Sequence, residues 1–150
     1  MGTTQLRCWR TGTAAVVMAG LGQAGLAAWP ADAQRHLRSC RTSPFDVHDT
    51  TTRIEGSAQR RGMAVFARSL RGADSRFIVL ASAQGGTPVV IRGGAPERIE
   101  LPLSVLVRLD ARGRAEVLSA AGANWTELPP ALAEDLAQLD AALGEALRSA

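Results

Sequence analysis

From Arg98 to Asp110 the chain alternates. Ile99, Leu101, Leu103, Val105, Val107 and Leu109 fall on one side, and Arg98, Glu100, Pro102, Ser104, Arg108 and Asp110 on the other, with Leu106 the exception. Successive side chains of a strand point to opposite faces, so this pattern predicts a strand with one face buried and one wet. Pro102 has no N–H to give a ladder, so the strand must bend, bulge or lie at a sheet edge there. Phe77-Ile78-Val79-Leu80-Ala81 is apolar without alternation, the pattern of a central strand covered on both faces. Further strand candidates are Val47–Glu55, Gly62–Arg71, Arg76–Ser82, Pro88–Arg92 and Arg114–Ser119, separated by Gly56, 71–74, Gly85-Gly86, Gly93-Gly94 and 111–113. All these connections are short, which favours antiparallel neighbours.

Beyond Trp125 the period changes. Pro129-Pro130 suits the first turn of a helix. Leu132, Leu136, Leu139, Leu143 and Leu147 then recur at steps of four, three, four and four, one stripe of a helix over about 130–148. Glu134 and Asp135 lie near its start and Arg148 near its end, as the helix dipole favours. The stripe is short for a coiled coil, so it is expected to dock on its own sheet. Trp125 is expected at the sheet–helix junction. The predicted fold class is α+β: an antiparallel β meander of about six strands with one C-terminal amphipathic helix.

The first residues have a different organisation. Arg7 and Arg10 precede an uncharged run, Ala14–Ala28, followed by Trp29-Pro30 and the small-residue sequence Ala31-Asp32-Ala33. This is the order of a secretory signal peptide, cleaved between Ala33 and Gln34. The run is shorter than the ~20 apolar residues of a spanning helix and contains Gln23 and three glycines. A membrane contact is therefore expected only through an uncleaved signal. Leu37-Arg38-Ser39-Cys40 fails as a lipidation box, because Arg38 is charged and 34–36 separate it from the apolar run. The predicted organisation is a signal peptide at 1–33, an irregular leader at 34–45 and a single domain at 46–150. The expected location is the periplasm or the exterior of a bacterial cell.

Charge refines this picture slightly. All 17 basic residues are arginine, set against 14 acids. After the predicted cut, residues 34–126 carry fourteen arginines and eight acids, whereas 127–150 carry one arginine and five acids. Such an acidic end is expected to complement its own basic body. Nucleic-acid binding is disfavoured, because it needs a basic cluster with interleaved aromatics, and only Phe45, Phe66, Phe77 and Trp125 lie beyond the signal.

Candidate chemistry is sparse. His36, Cys40, Asp46, His48 and Asp49 are residue types that bind zinc or copper, so His36, Cys40, His48 and Asp49 are the candidate metal ligands. Their spacing matches no standard motif, and the alternative is a polar leader with two solvated histidines. Cys8 leaves with the signal, so Cys40 has no intrachain partner; Arg38 and Arg41 beside it suggest exposure and a lowered thiol pKa. There is no Gly-x-Ser-x-Gly elbow, and no glycine pair leads into a helix as a phosphate loop requires. The sequon Asn124-Trp125-Thr126 reads as coincidence, because a bacterial host is expected. No catalytic residue and no cofactor is therefore assigned. The expected function is that of a small exported, non-enzymatic binding or assembly-accessory protein for an unknown protein partner. One alternative is a binder of a small apolar ligand between sheet and helix. Another is a metal-binding protein or metal-dependent enzyme using the His36–Asp49 cluster.

Overall fold

The structure is a computed structural model that describes residues 6–9, 37, 39–70, 72, 74–92, 98–120 and 129–149. Eight strands are described: β1 (Leu6–Trp9), β2 (Ser39–Thr42), β3 (Ala64–Leu70), β4 (Ser75–Ala81), β5 (Val89–Arg92), β6 (Arg98–Glu100), β7 (Ser104–Leu109) and β8 (Ala115–Ser119). Two helices accompany them, α1 (Val47–Arg60) and α2 (Pro130–Ala146). The fold is mixed α+β. Its main sheet has five antiparallel strands in the order β2-β8-β7-β4-β3, and β1-β5-β6 form a smaller one. The predicted cut after Ala33, His36, Gly93-Gly94 and Trp125 lie outside the described residues.

The meander expectation needs correcting. β3–β4 and β7–β8 are hairpins, but β4 pairs with β7 across the β5–β6 excursion, and β2 returns to pair with β8 at the far edge. The long alternating segment is two strands, one in each sheet. Pro102 is the reason: the chain turns at 102–103, where the Ser104 hydroxyl donates to the Leu101 carbonyl at 2.6 Å. β2 occupies part of the expected leader. It is held by its ladder to β8, a long-range pairing that local composition does not signal.

Val47–Glu55, expected as a strand, belongs to α1. Three consecutive threonines favour a strand locally, but the start signal is stronger. Asp46 caps the helix, its Oδ1 accepting the Asp49 N–H at 2.7 Å. The buried positions Val47, Thr50, Ile54, Ser57 and Ala58 follow a helical stripe. Thr51 and Thr52 donate their hydroxyls to the carbonyls four residues back, so neither is left competing with the helix.

Both helices cover one face of the main sheet. Val47, Ile54 and Ala58 of α1 and Leu132, Leu136, Leu139 and Leu143 of α2 share a core with Ile78, Leu80, Val105, Val107 and Val117. The predicted docking of the C-terminal leucine stripe thus describes the structure, with Leu147 packed at its margin. Ser82 Oγ donates to Asp135 Oδ1 at 2.7 Å, tying the β4 turn to α2 in a buried contact. The turn that follows β4 needs Gly85 and Gly86 at φ +92° and +75°, where a side chain would be strained. On the opposite face Phe77, Val79 and Leu106 pack with Leu37 and Leu101 in a second, smaller cluster. β4 is therefore buried on both sides, as its unbroken apolar run implies: Phe77, Ile78, Val79 and Leu80 are all 1% exposed or less.

Ion pairs join the acidic C-terminal helix to the basic body. Glu145 accepts from Arg60 at 2.6 Å and Arg61 at 3.4 Å, and Asp140 pairs with Arg41. Among the described residues, no helix is long and apolar enough to cross a membrane.

Candidate functional site

Of the sequence-derived cluster, Asp46, His48 and Asp49 lie together at the start of α1 and Cys40 lies on β2, while His36 falls outside the described residues. Asp46 is committed to capping α1, and His48 and Asp49 are exposed in the first turn of that helix. Cys40 lies on β2 opposite Leu118, a residue of the sheet face remote from the helices. Among the described residues no three His, Cys, Asp or Glu side chains gather as a metal-binding group.

What surrounds Cys40 is a small polar row that the sequence reading missed. β7–β8 register sets Arg108 opposite Glu116, and β2–β8 register sets Thr42 opposite Glu116. Arg108 Nε donates to Glu116 Oε1 at 2.6 Å, and the Cys40 thiol donates to Glu116 Oε2 at 3.4 Å. The signal was the short 110–114 turn, which fixes this register. Asp110 Oδ1 accepts the N–H groups of Arg112 and Arg114, and Gly113 takes φ +75°.

Cys40 is exposed as expected, but the expected lowering of its thiol pKa is overturned. Desolvation and then the Glu116 carboxylate hold the Cys40 thiol above its ordinary 9.0. Alternation sends Arg41 to the helix side, where it pairs with Asp140, and Arg108 is already engaged by Glu116. Cys40 is thus exposed but poorly nucleophilic. Alkylation by iodoacetamide at mildly alkaline pH is expected to be slower than for an unstructured cysteine peptide, and Glu116→Gln should accelerate it. An unchanged rate in that variant would remove the carboxylate from the account.

The acidic ties have a pH consequence. Asp110 is held below its ordinary 3.8, first by the Arg114 backbone N–H, and Glu145 below its ordinary 4.5, chiefly by the Arg60 guanidinium. A carboxylate with a depressed folded pKa stabilises above its unfolded pKa, and that contribution disappears as pH falls through the folded value. The urea midpoint should therefore hold steady on descending from neutrality, then fall through 4.5 and 3.8 and below. Glu145→Gln should flatten part of that fall; an identical profile would show the Glu145 ties to be inert.

The second candidate surface is an edge. β2 and β3 bound the main sheet, and β3 is the longer, seven residues against four. Among the described residues, the large apolar side chains left exposed are Phe66 at 37%, Leu70 at 58% and Leu109 at 37%. Two of the three belong to β3. Its ladder to β4 has an irregularity between Val65 and Ala67, as edge strands commonly do, and then runs regularly from Ala67 to Leu70. No protein-family model and no curated protein matches this sequence. The β3 edge and the Cys40–Glu116–Arg108 row therefore have to be read on their own chemistry. The polar row is already satisfied internally, whereas the β3 edge exposes apolar side chains and faces no strand among the described residues.

Proposed function

We propose that this chain is a small exported, non-enzymatic binding or assembly-accessory protein that holds an extended polypeptide along the outer edge of β3. The carrying observation is the exposure of Phe66 and Leu70 on a seven-residue edge strand. A strand edge offers backbone N–H and C=O groups to a further strand, and flanking pockets or side chains give the selectivity. Proteins protect an unused edge by shortening, covering, charging or bulging it; β3 carries a bulge at Val65/Ala67 and a charge at Arg68 yet still exposes Phe66 and Leu70. The export half of the reading rests on the order of charges and apolar residues in 1–33.

Two measurements test it. The intact mass of material recovered from the bacterial periplasm should begin at Gln34; retention of Met1 would remove the export reading. The amide resonances of Ala64–Leu70 should shift on adding short extended peptides of alternating polarity. If no acidic, neutral or basic peptide shifts them, the edge is not a binding surface.

A further inference from the structure

We infer that the segment held on β3 is acidic: an extended peptide presenting a carboxylate to Arg68 and, two residues along on the same side, an apolar residue to Leu70. This rests on the β3 edge being the binding surface, and it adds the chemistry of the partner.

Register fixes what an added strand would meet. Arg68 lies opposite Ile78 and Leu70 opposite Arg76, so both point to the helix side of the sheet. Ala67 and Ser69 lie opposite Val79 and Phe77 on the other side, where Ser69 is buried, so the exposed side chains of this stretch, Arg68 and Leu70, are those on the helix side. Cross-strand neighbours on one face interact directly, so the residue set beside Arg68 determines most of the polar selectivity.

Arg68 has donors to spare. Its Nε and Nη2 bind the two Glu55 oxygens at 2.7 and 2.9 Å, in the two-pronged geometry that arginine favours with carboxylates. A guanidinium carries five N–H donors, and Glu55 orients the group without using them all. The side chain remains 61% exposed. It is a cation already fixed in place on a strand that faces no further strand among the described residues, and a second carboxylate gains without the cost of ordering it.

The surrounding charge points the same way. Residues 60–76, which contain β3, hold Arg60, Arg61, Arg68, Arg71 and Arg76 against the single acid Asp74. Among the described residues, Glu145 reaches in from α2 to pair with Arg60 and Arg61, and Glu55 from α1 to pair with Arg68. A second copy of the chain would set two such arginine-rich segments side by side, which like-charge repulsion opposes. An acidic strand meets no such penalty.

The test uses the full isotopically labelled chain and three acetylated peptides in which valine alternates with glutamate, glutamine or lysine. The glutamate peptide should shift Ala64–Leu70 amides and bind about tenfold or more tightly than the lysine peptide, a difference of about 1.4 kcal/mol. Arg68→Gln should remove most of that preference, Arg68→Lys should restore part of it, and added salt should weaken it. Arg68 is exposed, so both variants are expected to fold, which unchanged far-ultraviolet dichroism would verify. If the lysine or glutamine peptide binds as tightly at the same amides, the edge reading stands and the acidic partner is wrong. If no peptide shifts those amides, both readings are wrong. If they shift with protein concentration alone, the occupant is a second copy.

Discussion

Phe77→Ala is expected to destabilise the domain by about 3–5 kcal/mol, the range for removing a large buried aromatic. Phe77 is 1% exposed, although it points away from both helices. Its surroundings explain why it is not wet. Leu106 lies directly opposite on β7, and Val79, Leu101 and Leu37 complete the cluster around it. The β4 backbone is fixed by ladders on both sides, to β3 and to β7, so it has little freedom to collapse into the space left. Because a domain of this size has only about 5–15 kcal/mol of stability, the variant should unfold at much lower urea or fail to accumulate. If the face remote from the helices were in effect a solvated surface, the loss would stay within about 0.5 kcal/mol. Urea unfolding followed by far-ultraviolet dichroism separates the two outcomes. Leu118→Ala, on the same face but only partly buried, is the matched control and should cost less.

That contrast also shows what sequence pattern could reveal. The apolar run Phe77–Ala81 implied burial on both faces, and the structure supplies the reason in two distinct clusters. The leucine stripe implied a helix with one buried side, and its spacing alone was sufficient. Where the reading erred, either a stronger local signal was passed over or a distant contact outweighed the local pattern. Three threonines after Val47 resemble a strand, yet the Asp46 cap and a core stripe extending to Ala58 make the segment a helix. β2 owes its conformation to β8, more than seventy residues later in the chain. The alternation through Pro102 implied one strand that bends, bulges or lies at a sheet edge there, whereas the chain turns at 102–103 and passes from one sheet to the other. The candidate site was less legible for the same reason. The short 110–114 turn sets Arg108 opposite Glu116, but Cys40 joins them through the distant β2–β8 pairing and the exposure of β3 follows from strand order, neither of which spacing along the chain encodes.

Leu139→Ala is the second substitution with a large expected effect, a loss of about 2–5 kcal/mol. It separates two roles for α2 that the leucine stripe permits. A helix waiting for a partner would expose its stripe, and truncating a central leucine would then leave the stability of the isolated chain nearly unchanged. In the structure Leu139 is 0% exposed, flanked on the same stripe by Leu136 and Leu143 and packed into the core shared with α1 and the sheet. Arg60, Arg61 and Arg41 hold the polar flank of α2 to the rest of the molecule, so the helix cannot readily shift to fill the void. The cost should therefore lie above that of Leu147→Ala, whose side chain only borders this core. Urea midpoints for the two variants, with the oligomeric state checked by sedimentation, give the answer directly. A large loss at Leu139 with no change in association makes α2 a structural element and leaves the edge of β3 as the surface available to a partner. A negligible loss at Leu139 would instead make the helix itself the binding element, and the proposals built on β3 would have to be abandoned in its favour.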